Sequence, residues 1–429
     1  MTYRGKFFVV ILSTVITFYA FFGVILGWFS AEAQQPINDP GAQIRIFESV
    51  LQHIQNDYVD EPDLEKVRAG ALRGLAYGLD PYSSYLTADQ VEKFKSNASD
   101  RKVGIGAEFS QVSSYLYVIS VVKDGPADKA GLKGGDVVEY IDAKASRDIS
   151  LYDAEQMILG DAGSKVKLRI LRSRAKPLSI EVTRGKFQDP QAITDVKEGS
   201  IGVVKVFSLQ KGQGNAIREK ITELKDKGVN KIVIDLRNVA GGSIDEAILV
   251  SNAFIKDGDL AKVIGRGDKV VKAYSAEPGK QIFEGEVATL INVGTAGAAE
   301  VIASSMIDRK RGEVIGERSY GAGTEQELFT LRGGDGFLLT TSKWASSKGV
   351  AFLANKRSEA GVKPSIEVKH SNTPEPLEVE DLVDPKKEDE QNPTPTPDKN
   401  PKVEKKHQED IQMKKAIEVL KGKAKAAGA

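Results

Sequence analysis

Residues 292–306 read N-V-G-T-A-G-A-A-E-V-I-A-S-S-M, a glycine-containing turn followed by a helical pattern. Its hydroxyl groups belong to Thr295, Ser304 and Ser305, and Ser243 follows a separate glycine pair. A hydroxyl becomes a nucleophile only when a neighbouring base accepts its proton. Ser243 is better explained as a helix N-cap, and Ser304 and Ser305 lie a turn into the next helix. The chemistry to test is therefore nucleophilic attack by a hydroxyl group.

The sequence does not supply an obvious base for such a hydroxyl. Lys310 and Glu300 are candidates, but nothing in their spacing favours either. The three histidines are distributed among a lead-in helix, a domain edge and the tail: His53, His370 and His407. Neither a Ser-His-Asp triad nor a metal-binding cluster is predicted from them. We expect no metal and no cofactor.

The totals exclude further classes of function. Lys and Arg number 60, as do Asp and Glu, so the formal net charge is zero. A nucleic-acid partner is not expected, because such binding needs a basic excess. There is no cysteine, which excludes disulfides, thiolate catalysis and cysteine-based metal sites.

The N-terminus carries a candidate membrane anchor. Arg4 and Lys6 precede an apolar run over residues 7–29, and acidic residues follow it. A run of about 20 apolar residues can cross a bilayer as a helix, and this charge order keeps the N-terminus in the cytoplasm. We predict a signal anchor over residues 1–33, in the inner membrane of a bacterium, with the bulk of the chain on the periplasmic side. Cleavage at the weak A-x-A site of Ala31 and Ala33 would instead release a secreted chain.

The remainder divides by pattern into five segments. Helical periodicity predicts a helical region over residues 41–100, and alternating strands predict a compact domain over 101–185. Strands alternating with helices over 186–372 favour a layered α/β (α+β) domain. A Pro-rich, charged stretch over 373–405 is typical of a disordered linker. A terminal helix is predicted over 406–425.

The strand-rich segment resembles a PDZ domain, on the motifs G-I-G-A (104–107) and G-P-A…A-G-L-K-G-G-D (125–136). PDZ domains bind an extended peptide by strand addition and hold its C-terminal carboxylate in backbone N–H groups. The resemblance therefore implies a groove between the glycine loop and a helix. Its predicted lining is Gly104, Ile105, Gly106, Ala107, Ala154, Met157 and Ile158.

The whole order of segments resembles the carboxyl-terminal processing peptidases, also called tail-specific proteases. The resemblance covers about residues 45–370. Five motifs carry it: N-D-Y-V-D (56–60), D-P-Y-S-S-Y-L (80–86), I-D-L-R-N-V-A-G-G (234–242), V-I-G-E-R-S-Y-G-A-G-T-E-Q (314–326) and G-V-K-P-S-I-E-V (361–368). Tyr82 stands where the family has histidine, and Ala240 where it has proline. The resemblance implies a peptidase-like domain with an inserted PDZ domain.

The family uses a serine nucleophile and a lysine base, and both are absent. The motif G-[ST]-A-S-A-S-E aligns with G-T-A-G-A-A-E, which places Gly297 at the nucleophile position and Ala299 at the second serine. The motif G-K-G-[ST]-x-Q aligns with G-A-G-T-E-Q, which places Ala322 at the base position and retains Gln326. Remnants of the oxyanion hole are implied at three positions: Gly241, Gly242 and Ala298.

Three hypotheses follow. The first is a proteolytically inactive, membrane-tethered protein whose PDZ groove and vacant cleft bind extended peptides or protein C-termini. The second is an active serine-type endopeptidase with a relocated nucleophile, at Thr295 or Ser243. The third is an assembly module in which the terminal and lead-in helices mediate oligomerisation. Homo-oligomers or pairing with an active homologue are compatible with the first.

Overall fold

The computed structural model describes residues 39–96, 103–112, 114–173, 175–369 and 410–426, with residues 13–15, 17, 18 and 21 as short helical pieces. The predicted anchor lies almost entirely outside these residues, and the predicted linker over 373–405 lies wholly outside them. Among the helices that are described, none has the length and apolarity needed to cross a bilayer. Residues 1–71 form one unit and residues 72–429 another.

The lead-in consists of two helices, α1 (Pro40–Asp57) and α2 (Leu64–Tyr77). Asp39 caps α1 by accepting from the amides of Gly41 and Ala42, and Asp63 caps α2 by accepting from the Lys66 amide at 3.0 Å. The predicted apolar stripe of α1 is exposed, since no side chain within Pro40–Asp57 is buried. The predicted stripe comprises Phe47, Val50, Leu51, Ile54 and Tyr58, of which all but the half-buried Ile54 are exposed.

The chain then passes through β1 (Ser84–Leu86) and α3 (Ala88–Ser96) into the PDZ domain. Its strands are β2 (Val103–Gly104), β3 (Ala107–Val112), β4 (Tyr115–Val121), β5 (Val137–Ile141), β6 (Lys144–Ala145), β7 (Lys165–Leu171), β8 (Leu178–Thr183) and β9 (Gly185–Lys186). Its helices are α4 (Pro126–Lys129) and α5 (Leu151–Ile158). Strand β2 pairs antiparallel with β9, so the chain enters and leaves this domain at one place, as an inserted domain must.

The main PDZ sheet has the order β3-β4-β5-β7-β8, with β6 paired to β5 and β3 at one edge. Alternation explains its core: along β7 the side chains of Val166, Leu168 and Ile170 are buried, while the residues between them are exposed. Together with α5 they close one hydrophobic cluster. Of the two edge strands of this sheet, β3 is the one that lies beside the helix α5.

The peptidase-like domain contains the strands β10 (Ile193–Lys197), β11 (Ile201–Lys205), β12 (Lys231–Asp235), β13 (Asp259–Ile264), β14 (Val270–Ser275), β15 (Glu286–Ile291), β16 (Gly312–Gly316), β17 (Thr324–Thr330), β18 (Gly336–Ser346) and β19 (Ile366–Glu367). Its helices are α6 (Gln213–Asp226), α7 (Ile244–Phe254) and α8 (Ala298–Asp308). One six-stranded sheet runs β10-β11-β12-β15-β16-β19 and is parallel from β11 onward. A second sheet runs β1-β18-β13-β14, with β17 paired to β18.

The six-stranded sheet is covered on both faces, as parallel sheets usually are. Ile232 and Ile234 of β12 pack with α6, α7 and α8, and Val233 between them faces the opposite side. There the terminal helix α9 (Ile411–Ala426) buries Ala416 and Leu420 completely. The fold is the mixed α/β arrangement that the sequence predicted.

The largely buried guanidinium of Arg237 holds α9 in place. Arg237 donates through Nη1 and Nη2 to both carboxylate oxygens of Asp410, at 2.9 and 2.8 Å. It also donates through Nε and Nη2 to Asp235, at 2.8 Å each. Asp235 is only 2 % exposed, and the guanidinium holds its pKa below the usual range even though burial opposes this. The D-L-R motif thus anchors the C-terminal helix.

We expect Arg237→Ala to cost about 3 kcal/mol of unfolding free energy, because it leaves the Asp235 carboxylate buried without its main partner. The terminal helix should also become sensitive to proteolytic nicking, read by mass spectrometry. Lys421→Ala, on the same helix, is the matched control, since it removes only the exposed ion pair between Lys421 and Glu198. Equal stability and equal protection of α9 in both variants would contradict this role of Arg237.

Candidate active site

The turn between β15 and α8, which holds the predicted nucleophile position, has a backbone like that of a nucleophile elbow and carries glycine there. Gly297 is the N-cap of α8, with φ 62° and ψ −117°. L side chains rarely adopt this conformation, and strained turns from strand to helix are where hydrolases display a catalytic serine. A Cβ at this position would lie 3.4 Å from the Gly241 carbonyl oxygen. The elbow therefore has room for a small side chain but carries none.

The base position is a methyl group in an apolar seam. Ala322 precedes β17 and packs against a cluster that includes Tyr117, Ile119 and Val137 of the PDZ domain. Its amide donates to Glu300 Oε2 at 2.9 Å. Nothing at this position can accept a proton from residue 297.

A fully buried glutamate ties the two positions together. Glu300 Oε2 accepts from the amides of Gly297, at 2.8 Å, and Ala322. Its Oε1 accepts from the Gly321 amide at 2.7 Å and the Ser319 hydroxyl at 2.5 Å. The sequence offered Glu300 as a possible base, but its carboxylate oxygens are engaged with four donors. Glu300 is a structural link between the elbow and the base segment.

The same burial changes the acidity of this carboxyl group. Loss of hydration raises the pKa of Glu300 to about 7, and the hydrogen bonds it accepts only partly oppose this. A proton is therefore shared over the neutral pH range between the buried carboxyl group and solvent.

At the predicted oxyanion-hole remnant, the backbone groups are hydrogen-bonded to one another. Gly241 and Gly242 have φ of 71° and 88°, and the Ala298 amide donates to the Gly241 carbonyl at 3.3 Å. An oxyanion would need that amide as a donor, and here it is already occupied. A Cβ at Gly242 would lie 2.7 Å from the Leu209 carbonyl oxygen, so only glycine fits at position 242, where the two backbone segments lie close together.

The hydroxyl groups considered as substitutes are occupied too. Thr295 is completely buried, and its Oγ1 donates to the Leu236 carbonyl at 2.9 Å. Ser243 caps α7 by accepting from the Asp245 amide at 3.2 Å. Lys310 lies beyond the far end of the 11-residue α8, about 16 Å from its start by helical rise. Within the part of the chain that the structure describes, no lysine, histidine or carboxylate side chain is hydrogen-bonded to either hydroxyl.

Ser304 and Ser305 are also structural. Each donates to a carbonyl of its own helix three residues earlier, at 3.1 and 2.8 Å. The retained Gln326 lies on β17, where its Nε2 donates to the hydroxyls of Thr324 and Thr340 at 2.7 and 3.3 Å. Without a lysine at position 322, this amide supports the strand pair β17–β18.

The PDZ domain covers the cleft, which the sequence treated as vacant. The rings of Tyr117 and Tyr320 stack with centroids 5.6 Å apart at 18°. Ser110 donates to the hydroxyl of Tyr82 at 3.3 Å, so the residue that replaces the family's histidine contacts the PDZ domain. Burial raises the pKa of Tyr320 to about 12 and raises that of Tyr82 as well. These phenols stay neutral and act as hydrogen-bonding groups, and the cleft is not an open binding surface.

The predicted groove residues divide into two sets. Ile105, Ala154 and Ile158 are 1 %, 0 % and 4 % exposed and belong to the PDZ core. Gly104 is paired with Gly185, and Gly106 turns the chain with φ +74°. Ala107, which begins the edge strand β3, and Met157 on α5 are partly exposed. The loop, the edge strand and the helix end lie together as a PDZ groove requires.

Comparison with known proteins agrees with this geometry. The Peptidase family S41 profile matches residues 200–368, and the PDZ domain profile matches residues 103–183. Carboxy-terminal processing protease CtpA of Bacillus subtilis (strain 168) is 27 % identical over 362 residues, which cover 84 % of this chain and 76 % of that protein. A probable CtpA-like serine protease of Staphylococcus haemolyticus (strain JCSC1435) is 31 % identical over 343 residues, covering 80 % and 68 %.

Comparison with solved structures points to the same family as the sequence comparison. The solved photosystem II D1 C-terminal processing protease superposes with a TM-score of 0.63 at 26 % identity, covering 75 % of this chain and 86 % of the other. The resemblance predicted from the motifs is therefore confirmed at the level of sequence and of fold. This chain belongs to the carboxy-terminal processing serine protease family, within peptidase family S41.

Proposed function

We propose that this chain is a proteolytically inactive member of its family that binds extended peptides or protein C-termini through its PDZ domain. The observation that carries the proposal is the pair Gly297 and Ala322, which leaves an intact elbow and an intact base segment without a hydroxyl and without an amine. Thr295 and Ser243 are engaged elsewhere, which argues against a relocated nucleophile.

The expected loss of rate is large. In a well-studied serine protease, removing the nucleophile costs about a millionfold in turnover, and removing the base as well adds little. An intact oxyanion hole alone retains about 10³-fold over water. Here the Ala298 amide already donates to the Gly241 carbonyl, so we expect even this residual rate enhancement to be smaller. A stable peptide bond would not be cut on a useful timescale.

Peptide capture is supported by the edge position of β3. A peptide added to this edge would run between β3 and α5, with its carboxylate at the loop that contains Gly106. Glycine at 106 is favoured by its φ of +74°, and a Cβ there would only make van der Waals contact with Val122 and Phe187, at 3.4 and 3.5 Å. A close backbone approach to an anion needs the same absence of a side chain.

The test is peptide affinity in the Gly106→Val variant. We expect Kd for a fluorescent peptide with an apolar C-terminal residue to rise at least about tenfold, because the branched side chain displaces the carboxylate loop. Gly131→Val is the matched control, since Gly131 also has positive φ (+87°) within the PDZ domain but open space around its Cβ position. Equal affinity of both variants and the natural chain would refute the groove.

We further propose that the N-terminal segment tethers the chain to the bacterial inner membrane, with the PDZ and peptidase-like domains on the periplasmic side. The charge order around residues 7–29 supports this orientation. The exposed apolar stripe of α1 supports a further contact with another copy or with an active homologue. In that arrangement the chain would present captured peptides without cutting them.

A further inference from the structure

The PDZ sheet carries an open cavity at a distance from the proposed peptide groove. Its volume is about 420 Å³, within the range of small-ligand pockets, roughly 300–1,000 Å³. The groove lies at β3, whereas this cavity lies over β5, β7 and the start of β8, toward the other edge of the same sheet. Six of its lining residues carry the argument: Tyr140, Asp142, Lys167, Arg169, Pro177 and Leu178.

Part of the lining is apolar and aromatic. Tyr140 and Leu178 are half-buried, and the ring of Pro177 precedes Leu178. The pairing of β5 with β7 shifts register between Val138 and Tyr140, an irregularity of the kind that re-aims a side chain. A flat apolar group would bury its surface against the Tyr140 ring and Leu178.

A guanidinium is held in place above this aromatic ring. Arg169 Cζ lies 5.6 Å from the centroid of the Tyr140 ring, and Arg169 Nε lies 2.9 Å from Glu139 Oε2. The ring and the carboxylate together set the plane of the guanidinium. Because this orientation exists before a ligand arrives, Arg169 can contact an anion at a smaller entropic cost.

The second cation of the cavity, Lys167, has no ion pair among the residues that the structure describes. Glu181 is its cross-strand neighbour in the register of β7 and β8, but that carboxylate pairs with Lys165 at 2.6 Å. Asp142 Oδ1 accepts from the backbone amide of Lys167, at 2.9 Å. Lys167 and Arg169 against Asp142 give these lining residues a net charge of +1, which suits a ligand with one negative charge.

We propose that this cavity is a second ligand site of the PDZ domain, for a small aromatic carboxylate. The ring of the ligand lies on Tyr140 and Leu178, and its carboxylate contacts Lys167 and Arg169. A doubly charged phosphate fits less well, because the Asp142 carboxylate also lines the cavity. The site goes beyond the proposed function and does not depend on whether the peptide groove is functional.

The experiment is a ¹⁹F NMR titration of the full chain with 4-fluorobenzoate, and with the neutral 4-fluorobenzamide in parallel. We expect a Kd on the order of 1 mM for the carboxylate, as for other ligands of this size. Lys167→Gln should raise this Kd about fivefold, because it removes one charge contact at an exposed site.

Two matched variants should leave this Kd unchanged. Lys165→Gln removes a lysine of the same strand that does not line the cavity and already pairs with Glu181. Gly106→Val alters the carboxylate loop of the peptide groove and leaves the cavity intact.

Four results would overturn the proposal. The absence of saturable binding up to about 10 mM would remove the site. Equal affinity for the amide and the carboxylate would show that no charge is recognised. An equal loss in Lys165→Gln and Lys167→Gln would assign binding to diffuse attraction by exposed lysines. A loss in Gly106→Val with none in Lys167→Gln would place the ligand in the peptide groove.

Discussion

Glu300→Ala is expected to lower the free energy of unfolding by about 4 kcal/mol. The substitution leaves the amides of Gly297, Gly321 and Ala322 buried without an acceptor, along with the Ser319 hydroxyl. Each such group costs about 1–3 kcal/mol, and relaxation of the two segments recovers part of the sum. Chemical denaturation with a two-state fit measures the loss.

Ser304→Ala on the same helix is the control for this prediction. Its hydroxyl bonds only to a carbonyl of α8 itself, so its removal should cost less than about 1 kcal/mol. If Glu300→Ala were as stable as Ser304→Ala, the glutamate would not be the link between elbow and base segment.

The pKa of Glu300 gives the same prediction a pH dependence. Its folded pKa of about 7 lies above the ordinary glutamate value of 4.5, so the folded state holds the proton more tightly than the unfolded state. The contribution of Glu300 to stability is fully present below about pH 4.5 and is lost as pH rises through 7, by about 3 kcal/mol. The difference in unfolding free energy between the natural chain and Glu300→Gln should follow this curve, and a flat difference would contradict it.

The second large effect is partial recovery of peptidase activity in the Gly297→Ser, Ala322→Lys double variant. The elbow already has the unusual backbone, and a Cβ there meets Gly241 at 3.4 Å, so a serine fits with a small shift. We expect cleavage at least about 10³-fold above the natural chain, which is part of what a nucleophile–base pair supplies. Each single variant should stay at background, because the two groups act together.

Full recovery is not expected, because the new lysine must enter the seam beneath Tyr117. Adding Tyr117→Ala to the double variant should raise the rate, since it removes the stack with Tyr320 and admits both the amine and the substrate. Single variants as active as the double variant would show that cleavage arises elsewhere in the chain. A rate unaffected by Tyr117→Ala would argue against the PDZ domain as a barrier.

Local motifs made much of the architecture predictable. The turn with Gly297, the segment with Ala322 and the glycine loop at 104–106 are short sequences whose chemistry depends on adjacent residues. The alternation along β7 and the helical periodicity of the terminal segment are likewise local. For this reason Gly297 and Ala322 could be predicted from the sequence to stand at the family's nucleophile and base positions.

The closed cleft could not be predicted in this way. The contacts of Glu108 with Gly241 and of Tyr117 with Tyr320 join residues of different domains, and no periodicity encodes such pairs. Alternation along β3 places the polar residues Glu108 and Ser110 on one face, but only the structure shows that Ser110 is 1 % exposed. The sequence alone does not distinguish a solvated polar face from one that packs against another domain.

The lead-in helix α1 shows that periodicity predicts a helix better than it predicts burial. Periodicity placed an apolar stripe on α1 correctly, but in the structure Phe47 and Val50 remain about half exposed, at 45 % and 51 %. A stripe predicts that a surface can be buried and says nothing about which surface covers it.

The most direct test of the account is a cleavage assay on the full natural chain. An unstructured protein with an apolar C-terminus would be incubated with it and analysed by mass spectrometry, beside the Gly297→Ser, Ala322→Lys variant. We predict that the natural chain leaves this substrate intact under conditions in which the double variant cuts it. Cleavage by the natural chain that disappears on Thr295→Ala or Ser243→Ala would contradict the account and establish a relocated nucleophile.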